Sequence, residues 1–93
     1  MNTIDLVALR HEFHKTPELG FAEEITKSRV AAILSDLSIE VNVGAGVVGI
    51  LKRGTGNRAI GLRADMDALP IHEKSTHGYV SQTSGVMHAC GHD

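Results

Sequence analysis

"IEVNVGAGVVGILKR" (residues 39–53) is where the hydrophobic period of this chain changes. In residues 39–46, Ile39, Val41 and Val43 alternate with polar neighbours, the pattern of a half-exposed strand. Residues 47–53, "VVGILKR", read as a second strand, and the glycines between the two suggest a connection or a bulge. Upstream the period is helical. From Thr3 to about Lys15 the residues Ile4, Leu6, Val7, Leu9 and Phe13 form one stripe, with Asn2 or Thr3 as the cap. "KTPELGF" (15–21) interrupts it, because Pro17 is excluded from a helix interior and Gly20 permits a turn, so this stretch reads as a linker. A second helix follows from about Glu23 to Leu37. Ile25, Val30, Ala31, Ile33, Leu34 and Leu37 recur at three- and four-residue spacing, and Glu23 and Glu24 lie where a helix N-terminus favours negative charge.

Downstream, "GTGN" (54–57) is a turn by composition, and "RAIGLRADMDALPI" (58–71) opens with an apolar half interrupted only by arginines. It is the best candidate for a central strand. Residues 72–86 are polar and without period, as expected of a loop. The order helix, helix, strand, strand, strand, loop predicts an α/β fold: two N-terminal helices packed on a mixed or parallel sheet made by residues 39–53 and 58–67.

Composition narrows the function. Ninety-three residues make one small domain or part of one, with a modest core drawn from Val, Ile, Leu and Ala, since there is no Trp, one Tyr and two Phe. Nine basic and eleven acidic residues give a formal charge of −2 with no block of one sign, which argues against nucleic acid as a partner. The single cysteine cannot form an internal disulfide, and the first thirty residues hold no signal-peptide pattern, so the cytoplasm is the expected compartment. No apolar run approaches the roughly 20 residues that span a bilayer, so no membrane is expected.

Two short segments carry chemistry. In "RADMDALP" (63–70), Asp65 and Asp67 stand two residues apart after the apolar half of the expected strand. In extended backbone that spacing puts both on one face, roughly 6–7 Å apart at Cα, at the strand end where open α/β sheets bind ligands. A D-x-D pair by itself also suits a solvated strand end. In "HACGHD" (88–93), Cys90 and His92 are again two apart, with Gly91 between them to let the backbone turn. A thiolate and an imidazole that converge on one small volume point to a metal site. It is not a structural zinc site of the usual kind, because Cys90 is the only cysteine and no C-x-x-C pair is present. Taken alone, Cys90 would equally serve as a small buried hydrophobe.

"HKTPELGF" (14–21), "LRADMDALPI" (62–71) and "GVMHACGHD" (85–93) together resemble the N-terminal part of the hippurate hydrolase and N-acyl-amino-acid amidohydrolase family, dinuclear metallohydrolases related to aminoacylases and zinc carboxypeptidases. The resemblance covers essentially the whole chain, in order. It implies that Cys90 and His92 are metal ligands, with the thiolate placed to bridge two divalent ions (Zn, Mn, Ni or Co), and that Asp67 is the acid that orients and polarises the site. Asp65 stands where more distant carboxypeptidase relatives have a histidine ligand. His88 and Asp93 are expected to support the ligands, and His11, His14, His72 and His77 to be surface or loop histidines.

The family's other ligands, among them a glutamate pair that includes the general base and two histidines, are not found in this sequence, nor is its lid and dimerisation domain. On this resemblance, residues 1–93 are expected to be an N-terminal fragment of the catalytic domain. The parent would be a homodimer or higher oligomer that hydrolyses the amide bond of N-acyl amino acids, hippurate-like or acetylated, to a carboxylic acid and a free amino acid. The fragment alone would be inactive. The alternative is a stand-alone metal-binding or interaction module without catalysis.

Overall fold

The computed structural model describes residues 3–93. Helix α1 spans Leu6–Lys15 and helix α2 Glu24–Asp36, followed by strands β1 (Glu40–Val43) and β2 (Val47–Ile50). Both helices expected from periodicity are present, with ends set by capping. Asn2, one expected cap of α1, lies outside the described residues. Thr3 is not the cap: Asp5 is, its carboxylate accepting from the Ala8 N–H at 3.0 Å, so the helix starts at Leu6, two residues after the apolar stripe begins at Ile4.

The C-terminus of α2 closes with a Schellman motif. The Ile39 N–H donates to the Leu34 carbonyl at 3.1 Å and the Ser38 N–H to the Ser35 carbonyl at 2.9 Å, which requires Ser38 to enter the left-handed region at φ 61. The chain thereby reverses into β1. β1 and β2 pair as an antiparallel hairpin in the register Glu40↔Ile50 to Val43↔Val47. α2 covers it at close range, for a Cβ added at Gly49 would lie 3.2 Å from both Leu34 Cδ1 and Ile39 Cγ2.

The α/β arrangement of helices on a sheet is therefore present, but the sheet differs from expectation in two respects. Its two strands are antiparallel, because three residues suffice to connect them and a parallel pair would need a long crossover. Residues 58–67, expected as the central strand, run without strand pairing, and Ile60 and Leu62 are 91% and 96% exposed. An apolar strand needs hydrogen-bonding neighbours and covered faces, and the described residues supply neither. The segment is fixed only at its end, by a parallel bridge Leu19↔Ala68 and an antiparallel bridge Leu69↔Met87.

Burial is concentrated near those bridges. Among the described residues Ala68 is a buried apolar side chain at 2% exposure, while His14 and Thr26 are buried although polar. Pro17 is buried as well. The best-protected part of the chain is thus a polar junction between α1, the 15–21 segment and the loops after residue 67.

Candidate functional site

The segment "TPELG" (16–20) is more than a linker. The Glu18 carboxylate accepts from the Thr26 N–H and hydroxyl, both at 2.7 Å, and from the Ile25 N–H at 3.1 Å, so a side chain outside α2 satisfies amides at its N-terminus. Burial pushes the Glu18 carboxyl up, but these donors outweigh it and hold it below the ordinary carboxylate value. The Glu18 backbone carbonyl accepts from the Ala68 N–H at 2.7 Å. The capped helix is thereby tied to the end of the D-x-D segment. Gly20 sits against that segment too, for a Cβ there would lie 3.7 Å from Asp67 Oδ2.

The second bridge brings in the cysteine motif. Leu69 and Met87 exchange backbone hydrogen bonds at 2.9 and 3.0 Å, which sets "HACGHD" beside "DMDAL". Burial pushes the His88 imidazole below the ordinary histidine value, with Asp93 acting the other way. The chain then turns at Cys90–Asp93, where the Asp93 N–H donates to the Cys90 carbonyl at 3.1 Å. Gly91 makes this turn without a positive φ, and a Cβ there would meet nothing within 4 Å, so the turn itself does not require glycine.

Asp65, Asp67, His88, Cys90, His92 and Asp93 consequently line one open cleft of about 800 Å³, whose other wall is mainly apolar, from Leu6, Leu9, Phe13, Val30 and Val47, with Arg10 and Thr26 among them. His92 Nε2 is 3.5 Å from Asp65 Oδ2, and Asp65 Oδ1 pairs with Arg63 at 2.7 Å. Cys90 is exposed to the cleft as a free thiol. His88 Nε2 is buried with no hydrogen-bond partner. One thiol, two imidazoles and three carboxylates around a cleft, one buried ring nitrogen among them unpaired, form a donor set suited to borderline-soft divalent ions.

The sequence reading missed a second polar centre. His14, expected as a surface or loop histidine, is 3% exposed. Its Nε2 lies 3.1 and 3.0 Å from the two oxygens of Glu73, and its Nδ1 lies 3.1 Å from Asp93 Oδ2. Glu73 also accepts from the Ser81 N–H at 2.7 Å and meets His77 Nε2 at 3.0 Å. Burial raises the Glu73 carboxyl, but the Ser81 amide, His14 and the Ser75 hydroxyl outweigh it and bring it to about 2. Tyr79 stacks between His11 and His77, at 3.7 and 3.8 Å between ring centroids; of the four histidines expected at the surface or in loops, His72 alone is exposed.

Among the described residues, His14, Glu73 and His77 are the only three side chains whose ligand-type atoms all lie within 4.8 Å of one another. Their facing atoms are already spent on hydrogen bonds, so the cluster reads as a structural network. The only warning in the sequence was one acid and one histidine four residues apart inside an otherwise polar loop.

Residues 61–93 match the peptidase family M20/M25/M40. The chain is 51% identical over 88 residues to a hippurate hydrolase of Campylobacter jejuni, covering 91% of this chain and 23% of that protein. It is 44% identical over 92 residues to thermostable carboxypeptidase 2 of Saccharolobus solfataricus, covering 95% and 23%. Among solved structures, the Bacillus subtilis YXEP protein, described as a dinuclear metal binding peptidase from the M20 family, superposes with a TM-score of 0.87 at 35% identity, over 94% of this chain and 26% of that one. The chain spans about a quarter of the length of these relatives.

Proposed function

From the match of residues 61–93 to peptidase family M20/M25/M40 and the similarity to its hydrolases, we propose that the chain belongs to this family and that residues 1–93 contribute the first part of a catalytic domain that hydrolyses the amide bond of N-acyl amino acids. The observation that carries the reading is the shared cleft, lined by Cys90, His92, Asp65 and Asp67, whose two segments the Leu69–Met87 bridge sets side by side. Cys90 and His92 are the residues that would hold divalent ions, Zn, Mn, Ni or Co by donor type, with His88 and Asp93 behind them. When bound, such ions supply Lewis acidity toward an amide carbonyl and acidify water.

The chain's own residues set the stage for that chemistry. Asp67, fixed by the Ala68–Glu18 bond next to it, is the acid that orients the site, and Asp65 is held by Arg63 at its edge. The side of the cleft made by α1, α2 and β2 is mainly apolar, with Arg10 and Thr26 as its polar residues. The name of the Campylobacter relative favours an acyl glycine such as hippurate, and acetylated amino acids belong to the same substrate class. A single reduced cysteine used as a ligand suits the cytoplasm. Among the described residues no helix is long and apolar enough to cross a membrane.

A chimera tests the reading. These 93 residues would replace the matching segment of the Campylobacter hippurate hydrolase. We expect metal-dependent hydrolysis of hippurate that disappears with Cys90→Ala. A folded, metal-loaded chimera inert toward hippurate and toward a panel of acetylated amino acids would refute it.

A further inference from the structure

Beyond His88, little holds the cysteine motif in place. The Leu69–Met87 bridge ends just before it, and the Cys90–Asp93 turn has one internal backbone bond. Two side-chain ties remain among the described residues. One is His92 to Asp65 at 3.5 Å, too long for a good hydrogen bond and one that must yield if His92 is to bind an ion. The other is Asp93, whose Oδ2 meets His14 Nδ1 at 3.1 Å and Arg10 Nη2 at 3.2 Å.

The two partners of Asp93 differ in weight. Arg10 is half exposed, and an exposed ion pair contributes little. His14 is buried, and its opposite ring nitrogen is gripped by both oxygens of Glu73, itself anchored by the Ser81 amide. Both ring nitrogens of His14 thus face a carboxylate, and the ring is fixed in plane and orientation from both sides. A buried imidazole held this way is a rigid post on which Asp93 can rest.

We propose that His14 is a positioning residue: clamped on Glu73, it fixes Asp93 and so holds the Cys90–Asp93 turn with Cys90 and His92 toward the cleft. The proposal rests on the reading of Cys90 and His92 as metal ligands. Groups behind a metal site act by removing the freedom its ligands would otherwise lose on binding, and their loss costs about 10- to 100-fold in metal affinity. Nothing in the sequence flagged His14 for this role, since its partners stand 59 and 79 residues away.

The test uses the full 93-residue chain and two readouts. The first, without metal, is the backbone heteronuclear NOE of Cys90, Gly91 and His92. The second is Co²⁺ titration followed by the thiolate-to-cobalt absorption that Cys90→Ser must remove. With His14→Ala and with Asp93→Ala, we expect those amides to become as mobile as a free tail while Val41 and Val48 in the hairpin stay rigid. Co²⁺ affinity should fall about tenfold or more in each, and the double variant should lose no more than the worse single one. Arg10→Ala should change affinity by less than about threefold. Should His14→Ala fail to fold, Asp93→Ala, which alters only the outer end of the relay, decides alone. Amides of Cys90–His92 as ordered in Asp93→Ala as in the parent chain would overturn the proposal. A parent chain with no thiolate-to-cobalt band would sink the metal reading instead, and the NOE result would still decide whether His14 positions the turn.

Discussion

Glu18 and Thr26 are joined twice, the carboxylate Oε1 accepting from both the backbone N–H and the hydroxyl of Thr26 at 2.7 Å. A residue eight positions upstream thus does for α2 what a capping side chain normally does from the adjacent position, where Glu23 makes no such bond. Loss of a cap costs about 0.5–2 kcal/mol. Because three donors would be orphaned at once, Glu18→Ala should lie at the upper end, near 2 kcal/mol, and Thr26→Val, which deletes only the hydroxyl, nearer 1 kcal/mol. Urea denaturation measures both. Equal losses in the two variants would show that the hydroxyl alone matters.

Ser38 closes α2 in a conformation that suits glycine. At φ 61 its Cβ crowds the following carbonyl, which costs roughly 1 kcal/mol in a left-handed non-glycine residue. The side chain is exposed and makes no hydrogen bond of its own among the described residues. Ser38→Gly should therefore stabilise the chain by about 1 kcal/mol, less a few tenths for the added freedom of the unfolded state. A fall in the denaturation midpoint would contradict the assignment of strain to this residue.

Acid should unfold the polar junction. The carboxyl of Glu73 is held at about 2 in the folded chain against 4.5 for the free group. Its folded-state value is depressed, so its contribution is complete above about 4.5 and is lost as the pH falls toward about 2. Glu18, also depressed, acts in the same direction. Stability measured at neutral pH should exceed that at pH near 3, and Glu73→Gln should be less stable at neutral pH while losing less on acidification. A Glu73→Gln variant with the parent's full pH dependence would show that other carboxylates govern the transition.

The parts of this fold that could be read in advance are those whose cause is local. The stripe of Leu6, Leu9 and Phe13, the spacing of Val30, Ile33 and Leu34, and the alternation of Val41 and Val43 each express one element's own period, and each element formed. The direction of the hairpin and the unpaired state of residues 58–67 depend on which strands lie alongside, which a period does not encode. The same division runs through the site. Cys90, His92 and the aspartate pair stand out by residue type at two-residue spacing, and the structure lines one cleft with them. His14, Glu18 and Glu73 carry ordinary residue types in an ordinary helix, linker and loop. Their roles arise from contacts across 8 to 79 residues, and burial of a polar group is not visible until the chain has folded.

By itself the 93-residue chain should be a weak metal binder without turnover. Cys90 and His92 offer two donor atoms, and in a dinuclear centre the remaining positions would have to come from water, buffer or further protein. Among the described residues, the one preformed trio of ligand-type atoms, on His14, Glu73 and His77, is committed to hydrogen bonds through its facing atoms. Amide hydrolysis also needs a proton acceptor that makes hydroxide and returns the proton to the leaving amine. Among the described residues, Asp65 is paired with Arg63, Glu73 is enclosed, and Glu18 is occupied with a helix end, so no carboxylate is free for that work beside Cys90 except Asp67, which the reading assigns to orienting the site. Purified chain supplied with Zn²⁺, Mn²⁺ or Co²⁺ should therefore release no benzoate from hippurate above the rate of the metal alone. Hydrolysis that follows the protein through successive purification steps and is lost in Cys90→Ala would mean that these residues hold a complete active site.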